Sequence, residues 1–286
     1  TIQLMAPMLR YLRHGDGGLA LFNDSNVEDP ALIDAILERA GPGADGTIEE
    51  APDSAIQRLE AGKTLVLMDA GAPPAPPYDR RAYAGTLSFE MSLGAERVVV
   101  NCGAFPAADA AWEKALRSTT AHSTVAVDDV NSCELLAAGG IGRRPHNVEC
   151  AREESEGNVW IAASHDGYED NFGLIHRRRL YLAAGGDDFR GEDSLVGPHR
   201  GHFTLRFHLH PGVQTSLIQN GAAAILRLPS GAAWRLQVNG GHIDVAESVY
   251  LGRRGEMYRA EQVVIAGQLT GRGATVKWAF KRYARS

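Results

Sequence analysis

Apolar positions recur every third or fourth residue at the start of the chain and every second residue thereafter. Met5, Met8, Leu9 and Leu12 share one helical face before Gly15-Asp16-Gly17-Gly18 interrupts it. Asp29-Pro30 opens a second helix, with aspartate suited to the cap, proline to the first turn, and Ile33, Ile36 and Leu37 as the apolar stripe. Gly41-Pro42-Gly43 ends it. From Thr64 the period is two. Strands are predicted at 65–70, 86–93, 97–101, 123–127, 148–153, 159–164 and 175–183. The second half continues at 203–209, 215–218, 223–228, 233–238, 243–250, 257–265 and 275–280. The Pro-rich loop 72–77 cannot enter a ladder and belongs on a rim. Many short strands without intervening helices predict a mainly β fold, a large antiparallel β-sandwich preceded by short α-helices. Residues 1–60 form the helical segment and 61–286 the sandwich. With nothing else to pack on, the two opening helices read as the tail of a larger helical domain.

The chain is 286 residues long, enough for a substantial core, and its 44% hydrophobic and 22% charged residues are those of an ordinary globular protein. A net charge of −6 argues against nucleic acid as a partner. Arginine outnumbers lysine 25 to 4. That bias suits bidentate recognition of carboxylate or sulfate on an acidic polymer, and equally reflects a GC-rich genome. Cys102, Cys133 and Cys150 are too few for a disulfide framework, leaving one bridge plus a free thiol, or three thiols. No apolar run is long enough for membrane insertion. The start at Thr1 reads as that of a processed or proteolysed fragment, so the absent leader leaves the compartment open.

Few residues stand out chemically. Arg80-Arg81-Ala82-Tyr83 follows the Pro-rich loop and is read as entering a strand, with Arg81 and Tyr83 on one face. Such a pair could bind an acidic sugar, with the tyrosine exchanging a proton, or could be a solvated strand edge. His122 precedes a β-branched strand, where a hydrogen-bonded core histidine is the ordinary outcome. His208 and His210 alternate on one strand, a spacing that lets two imidazoles share a metal, but no third ligand is visible. In 176–181, His176 and Arg178 face one way and Arg177, Arg179 and Tyr181 the other. This is an anionic-ligand surface or a solvated face paired with Asp187, Asp188, Glu192 and Asp193. Nucleophile-elbow, zincin and phosphate-loop motifs are absent.

Several of these segments, in this order, resemble the heparinase II/III-like family. They are Asp69-Ala70-Gly71, Ala84-Gly85-Thr86-Leu87-Ser88-Phe89-Glu90, Val100-Asn101-Cys102-Gly103, Ala121-His122-Ser123-Thr124, Asp166-Gly167-Tyr168 and His176-Arg177-Arg178. The resemblance covers roughly residues 60–280, with Phe207–Gly212 and Glu247–Tyr250 as later matches. It implies the C-terminal sandwich of a bacterial polysaccharide lyase whose N-terminal (α/α) toroid is the expected partner domain. It implies β-elimination on uronic-acid glycans such as heparin, heparan sulfate or alginate, inactive without the toroid. A periplasmic or cell-envelope location is expected, with the cytoplasm open. Elimination needs a neutraliser for the carboxylate, a base for the C5 proton and an acid for the leaving oxygen. By the resemblance, Arg81, Tyr83 and His122 are the catalytic candidates, and Arg80, His176 and Arg178 the substrate-binding ones. The family's two sandwich histidines correspond to Arg81 and Tyr83, and its zinc ligands to Tyr83, Asn101 and His122. Only His122 keeps its type, so no cofactor is expected. Four functional readings stay open: a lyase using Arg81 on the carboxylate, a lyase specific for an unfamiliar uronate, a non-catalytic carbohydrate-binding or structural sandwich, and a metal enzyme using His208 and His210.

Overall fold

A computed structural model describes residues 2–41, 54–104, 109–253 and 256–283. Two antiparallel eight-stranded sheets face one another. The first contains β1 (Ile56–Ala61), β2 (Thr64–Asp69), β3 (Phe89–Leu93), β4 (Glu96–Val100), β10 (Arg200–Leu209), β15 (Tyr258–Thr270) and β14 (His242–Tyr250) in that order, with β5 (Val125–Val127) also paired to β10. The second runs β11 (Gln214–Ile218), β12 (Ala223–Arg227), β13 (Ala233–Asn239), β16 (Ala274–Arg282), β9 (Asp188–Val196), β8 (Leu174–Leu182), β7 (Asn158–Tyr168) and β6 (Val148–Ser155). The mainly β sandwich expected from period-two patterning is present.

Alternation explains the core. Phe203, Leu205, Phe207 and Leu209 on β10 all point between the sheets, as do Phe189, Trp278 and Phe280 from the facing sheet. Phe89 stacks on Trp278 at 5.5 Å and 14°, and Phe207 meets the same indole edge-on at 5.0 Å. Burying each phenylalanine is worth roughly 1.5–3 kcal/mol. Gly191 makes room, because a Cβ there would lie 2.0 Å from the Trp278 ring.

Helices α1 (Ile2–Tyr11) and α2 (Pro30–Ala40) form as expected, with Met5 and Ile36 of the apolar stripes left facing solvent, and Asp29 caps α2 by accepting the Ala31 N–H at 2.9 Å. α1 packs on the first sheet, contrary to expectation, and α2 packs on α1 and Leu19. Ala6 meets Ile33, Leu37 and Ala40, while Tyr11 and Phe22 cover Ile56, Leu65 and Leu67 on the outer side of the first sheet. Two strands escaped the pattern reading. β1 lies inside the segment taken as helical, and β9 lies where only a cluster of carboxylates was seen. The expected stop at Pro42-Gly43 lies outside the described residues.

The strand expected from Thr86 begins only at Phe89. Ser88 N–H donates to Gly85 O and Leu87 N–H to Asp69 O, and Leu87 adopts φ +64°, so 85–88 is a turn. Arg81 likewise ends a 3₁₀ turn, Tyr78–Arg81, instead of entering a strand. Asp79 causes this: its buried carboxylate accepts the Ile141 N–H and the Arg144 guanidinium, stapling the loop to 141–144. Cys102, Cys133 and Cys150 are free thiols.

Candidate functional site

The loops carrying Tyr83, Gly85 and His122 meet at one end of the first sheet. α3 (Ala110–Arg117) delivers this junction, since Arg117 donates to Ala82 O and Gly140 O, and Thr119 Oγ1 to Ala84 O. Tyr83 and His122 rings meet edge-on, with centroids 5.8 Å apart. Gly85 allows it: a Cβ at that position would lie 2.7 Å from His122 Cδ2. His122 is buried and its Nδ1 donates to Ser118 O at 2.8 Å, which leaves Nε2 unprotonated. Burial pushes its pKa down to about 4, so it stays neutral near pH 7.

Tyr83 is also buried. Its phenol donates to Asp24 Oδ1 at 3.2 Å, and its N–H donates to Asn23 Oδ1. Burial first, then the Asp24 carboxylate, push the phenol pKa far up, so it holds its proton. Asp24 also pairs with Arg81 at 2.7 Å, but Arg81 is 82% exposed and Arg80 is exposed beside it. Asn101 is engaged at both ends: Nδ2 donates to Leu21 O and Oδ1 accepts the Ser123 N–H. A protonated phenol, an engaged amide and a neutral imidazole offer a zinc ion no charge and do not fit one. Among the described residues no group of three or more His, Cys, Asp and Glu is arranged to hold a metal.

His176 and Arg178 lie far from solvent, between the sheets, and reach no surface. Asp193 receives His176 Nε2 at 2.8 Å, Arg178 Nε at 2.7 Å and Trp278 Nε1 at 2.8 Å. Gly167 N–H donates to His165 Nδ1, so His165 Nε2 carries the proton and donates to His176 Nδ1 at 3.2 Å. Both imidazoles are therefore neutral, and burial lowers both pKa values. Burial opposes ionisation of Asp193, yet Arg178 and His176 outweigh it and hold the carboxyl well below the usual range. Arg178 NH1 also donates to Leu87 O and Ser123 O. It ties the second sheet to the two loops that carry Gly85 and His122. The solvated pairing expected for this face holds only on the opposite side of β8, where Arg179 meets Glu192.

His208 and His210 go to separate neighbours. His208 Nε2 donates to Thr120 O and its Nδ1 accepts from Ser248, whereas the His210 ring packs on Tyr250 at 5.0 Å.

Two functional groups escaped sequence reasoning. Glu90 is fully buried on the outer side of β3, accepting the Asn101 N–H and a His14 proton, with Arg97 at 3.6 Å. Burial opposes its ionisation, but His14 and Arg97 keep the carboxyl below the usual range. Asp69, at the end of β2, lines a cavity of about 390 Å³ with Asn23, Ser25, Tyr83 and Thr86. Its carboxylate accepts the Gly71 N–H at 3.1 Å, and burial raises its pKa to about 7. An acid followed by Gly71 hinted at a turn, but nothing in the local sequence showed that no arginine would reach it.

Residues 44–279 match the family described as Heparinase II/III-like, C-terminal. FtsZ-localized protein C of Caulobacter vibrioides (strain NA1000 / CB15N) is 33% identical over 299 aligned residues, covering 97% of this chain and 51% of that protein. The heparan sulfate lyase HepC of Pedobacter heparinus superposes with a TM-score of 0.77 at 15% identity, over 98% of this chain and 46% of HepC. A heparinase III structure gives 0.76 at 12% identity, over 100% of this chain and 49% of the enzyme. The chain thus spans about half the length of these relatives, and the structural likeness is one of fold. Matched over most of its length, the chain belongs to the Heparinase II/III-like, C-terminal family.

Proposed function

We propose that this chain is the sandwich half of a heparinase-like protein that has given up elimination chemistry and serves as a non-catalytic interaction domain. The observation carrying this reading is the sealing of the Tyr83–Asn101–His122 junction. The phenol holds its proton, the imidazole is neutral and buried against Gly85, and the amide is engaged at both ends by backbone. Asn101 and His122 are buried away from any sugar ring, and Tyr83 faces the neighbouring cavity with a phenol that holds its proton. Kinship to FtsZ-localized protein C along nearly the whole chain supports a place in FtsZ-associated assemblies. The test has two arms. Acidic glycans incubated with the chain, alone and within any longer polypeptide that carries it, should yield no unsaturated uronate absorbance. A fluorescent fusion should follow FtsZ in cells, and a uniform distribution would defeat that part of the proposal.

One observation favours a retained lyase. Asp69, half-buried with a pKa near 7 and sharing a cavity with Tyr83, is tuned for proton transfer at neutral pH. On this second reading Arg81, exposed at the rim, neutralises the substrate carboxylate. Asp69→Asn would then abolish product formation, whereas the leading reading has no product to abolish.

A further inference from the structure

We propose that the outer face of the second sheet binds an anionic glycan strand, at a site separate from the Tyr83–His122 junction. Strand register sets the outward side chains in rows. Trp160, Tyr181, Arg190 and Ala279 are successive cross-strand partners on β7, β8, β9 and β16. The adjacent row runs Arg179, Glu192 and Lys277. Ala279 carries only a methyl group between longer neighbours, and the face sinks there into a depression of about 530 Å³.

The depression has the two chemistries that an acidic sugar needs. The Trp160 and Tyr181 rings lie 5.2 Å apart at 42°, forming a half-exposed aromatic shelf for the apolar faces of pyranose rings. Gln237 and Asn239 line the opposite side and supply amide donors and acceptors for hydroxyls. Four cations surround two carboxylates: Arg179, Arg190, Lys277 and Lys281 against Glu192 and Asp188. Arg179, Arg190 and Lys277 side chains are 73%, 52% and 69% exposed. The pairs with Glu192 are long, 3.7 Å for Arg179 and 3.3 Å for Lys277, so a ligand's carboxylate or sulfate can replace the protein's there, while Arg190 donates twice to Asp188 and lies over the Tyr181 ring. This local excess of positive charge stands out on a chain of net charge −6.

Arg179 and Lys277 are two strands apart, roughly 10 Å at the usual inter-strand spacing, which suits anionic groups repeated along a polymer better than a single small anion. α1 packs outside the first sheet and α2 on α1, so among the described residues neither helix covers this face. An acidic peptide would use the cations but not the aromatic shelf. The site does not depend on the reading of the first sheet's loops, and would stand if that reading failed.

The test is titration of the 286-residue chain with a heparin decasaccharide and an oligogalacturonate, alongside dextran and poly-glutamate. At least one acidic glycan should bind and dextran should not. Trp160→Ala and Lys277→Glu should each weaken binding about tenfold. Glu192→Gln should tighten it several-fold by freeing two cations, and Arg259→Ala, exposed on β15 of the other sheet, should leave it unchanged. Should Trp160→Ala misfold by circular dichroism, Arg179→Glu replaces it. Three results would overturn the proposal: neither acidic glycan binds, the face variants keep full affinity, or poly-glutamate binds equally well and ignores the loss of Trp160.

Discussion

Replacing Asp193 with alanine strikes the polar centre of the sandwich. Its carboxylate accepts from Arg178, His176 and Trp278, all buried, while Arg178 NH2 already lacks a partner. Stranding the guanidinium costs about 3–5 kcal/mol, because a buried charge loses its counterion. The two neutral donors add roughly 1–3 kcal/mol each before relaxation and water entry recover part of the loss. A net loss of about 5 kcal/mol is expected, which is a large share of the ~5–15 kcal/mol stability of a typical domain. At roughly 2–4 °C per kcal/mol, the thermal midpoint should fall by at least about 10 °C. Urea unfolding followed by circular dichroism gives the number directly. Amide exchange should also rise at Leu87 and Ser88, since Arg178 holds the Leu87 carbonyl. The double variant Arg178→Met/Asp193→Leu removes both charges and should recover most of the stability. A loss under about 1 kcal/mol, or a double variant no more stable than Asp193→Ala, would refute the reasoning.

Three further outcomes are expected. His122 and His208 have folded pKa values near 4 and 3, below the unfolded value of about 6.5, so the unfolded chain takes up protons first as pH falls. Stability should therefore drop between about pH 6.5 and 4, on the order of 1 kcal/mol per pH unit for each histidine, and a flat urea midpoint across that window would contradict this. Asp69 has the opposite sign: its folded pKa of about 7 exceeds the unfolded value, so its contribution worsens as pH rises from about 4 to 7. Asp69→Asn keeps an acceptor for Gly71 and should be more stable than wild type at pH 8 but not at pH 4. Equal differences at both pH values would argue against a half-buried, proton-holding carboxyl. Gly85→Ala drives a methyl group to within 2.7 Å of His122 and should cost about 1–3 kcal/mol, with a displaced imidazole resonance by NMR. A neutral effect would mean that the ring is not packed on that backbone.

The sandwich was legible because its strands alternate cleanly. Phe203 to Leu209 and Ile175 to Leu182 announce their faces residue by residue. β9 hid because Asp188, Arg190, Glu192 and Asp193 look like a solvated turn, although alternation puts Phe189, Asp193 and Leu195 inside. A buried aspartate among apolar neighbours is sensible only once Arg178 and His176 from β8 are known to face it. Arg178 read as a ligand-binding arginine for the same reason: sequence gives its direction on the strand but not which side is dry. The site was legible as a set of matching segments and not as an arrangement. Asp24, from the segment between α1 and α2, engages Tyr83 across 59 positions, and no local pattern encodes that bond. Asp69 is similar, since its raised pKa follows from burial, a tertiary property.

The central claim is that the Tyr83–His122 junction holds the loops together and moves no proton. The most direct measurement follows absorbance of unsaturated uronate while heparin, heparan sulfate and alginate are incubated with the chain and with any longer polypeptide that contains it. We expect no product from wild type, and a lower unfolding midpoint for Tyr83→Phe and His122→Ala. Steady product formation that either substitution abolishes, with the fold intact, would contradict the claim.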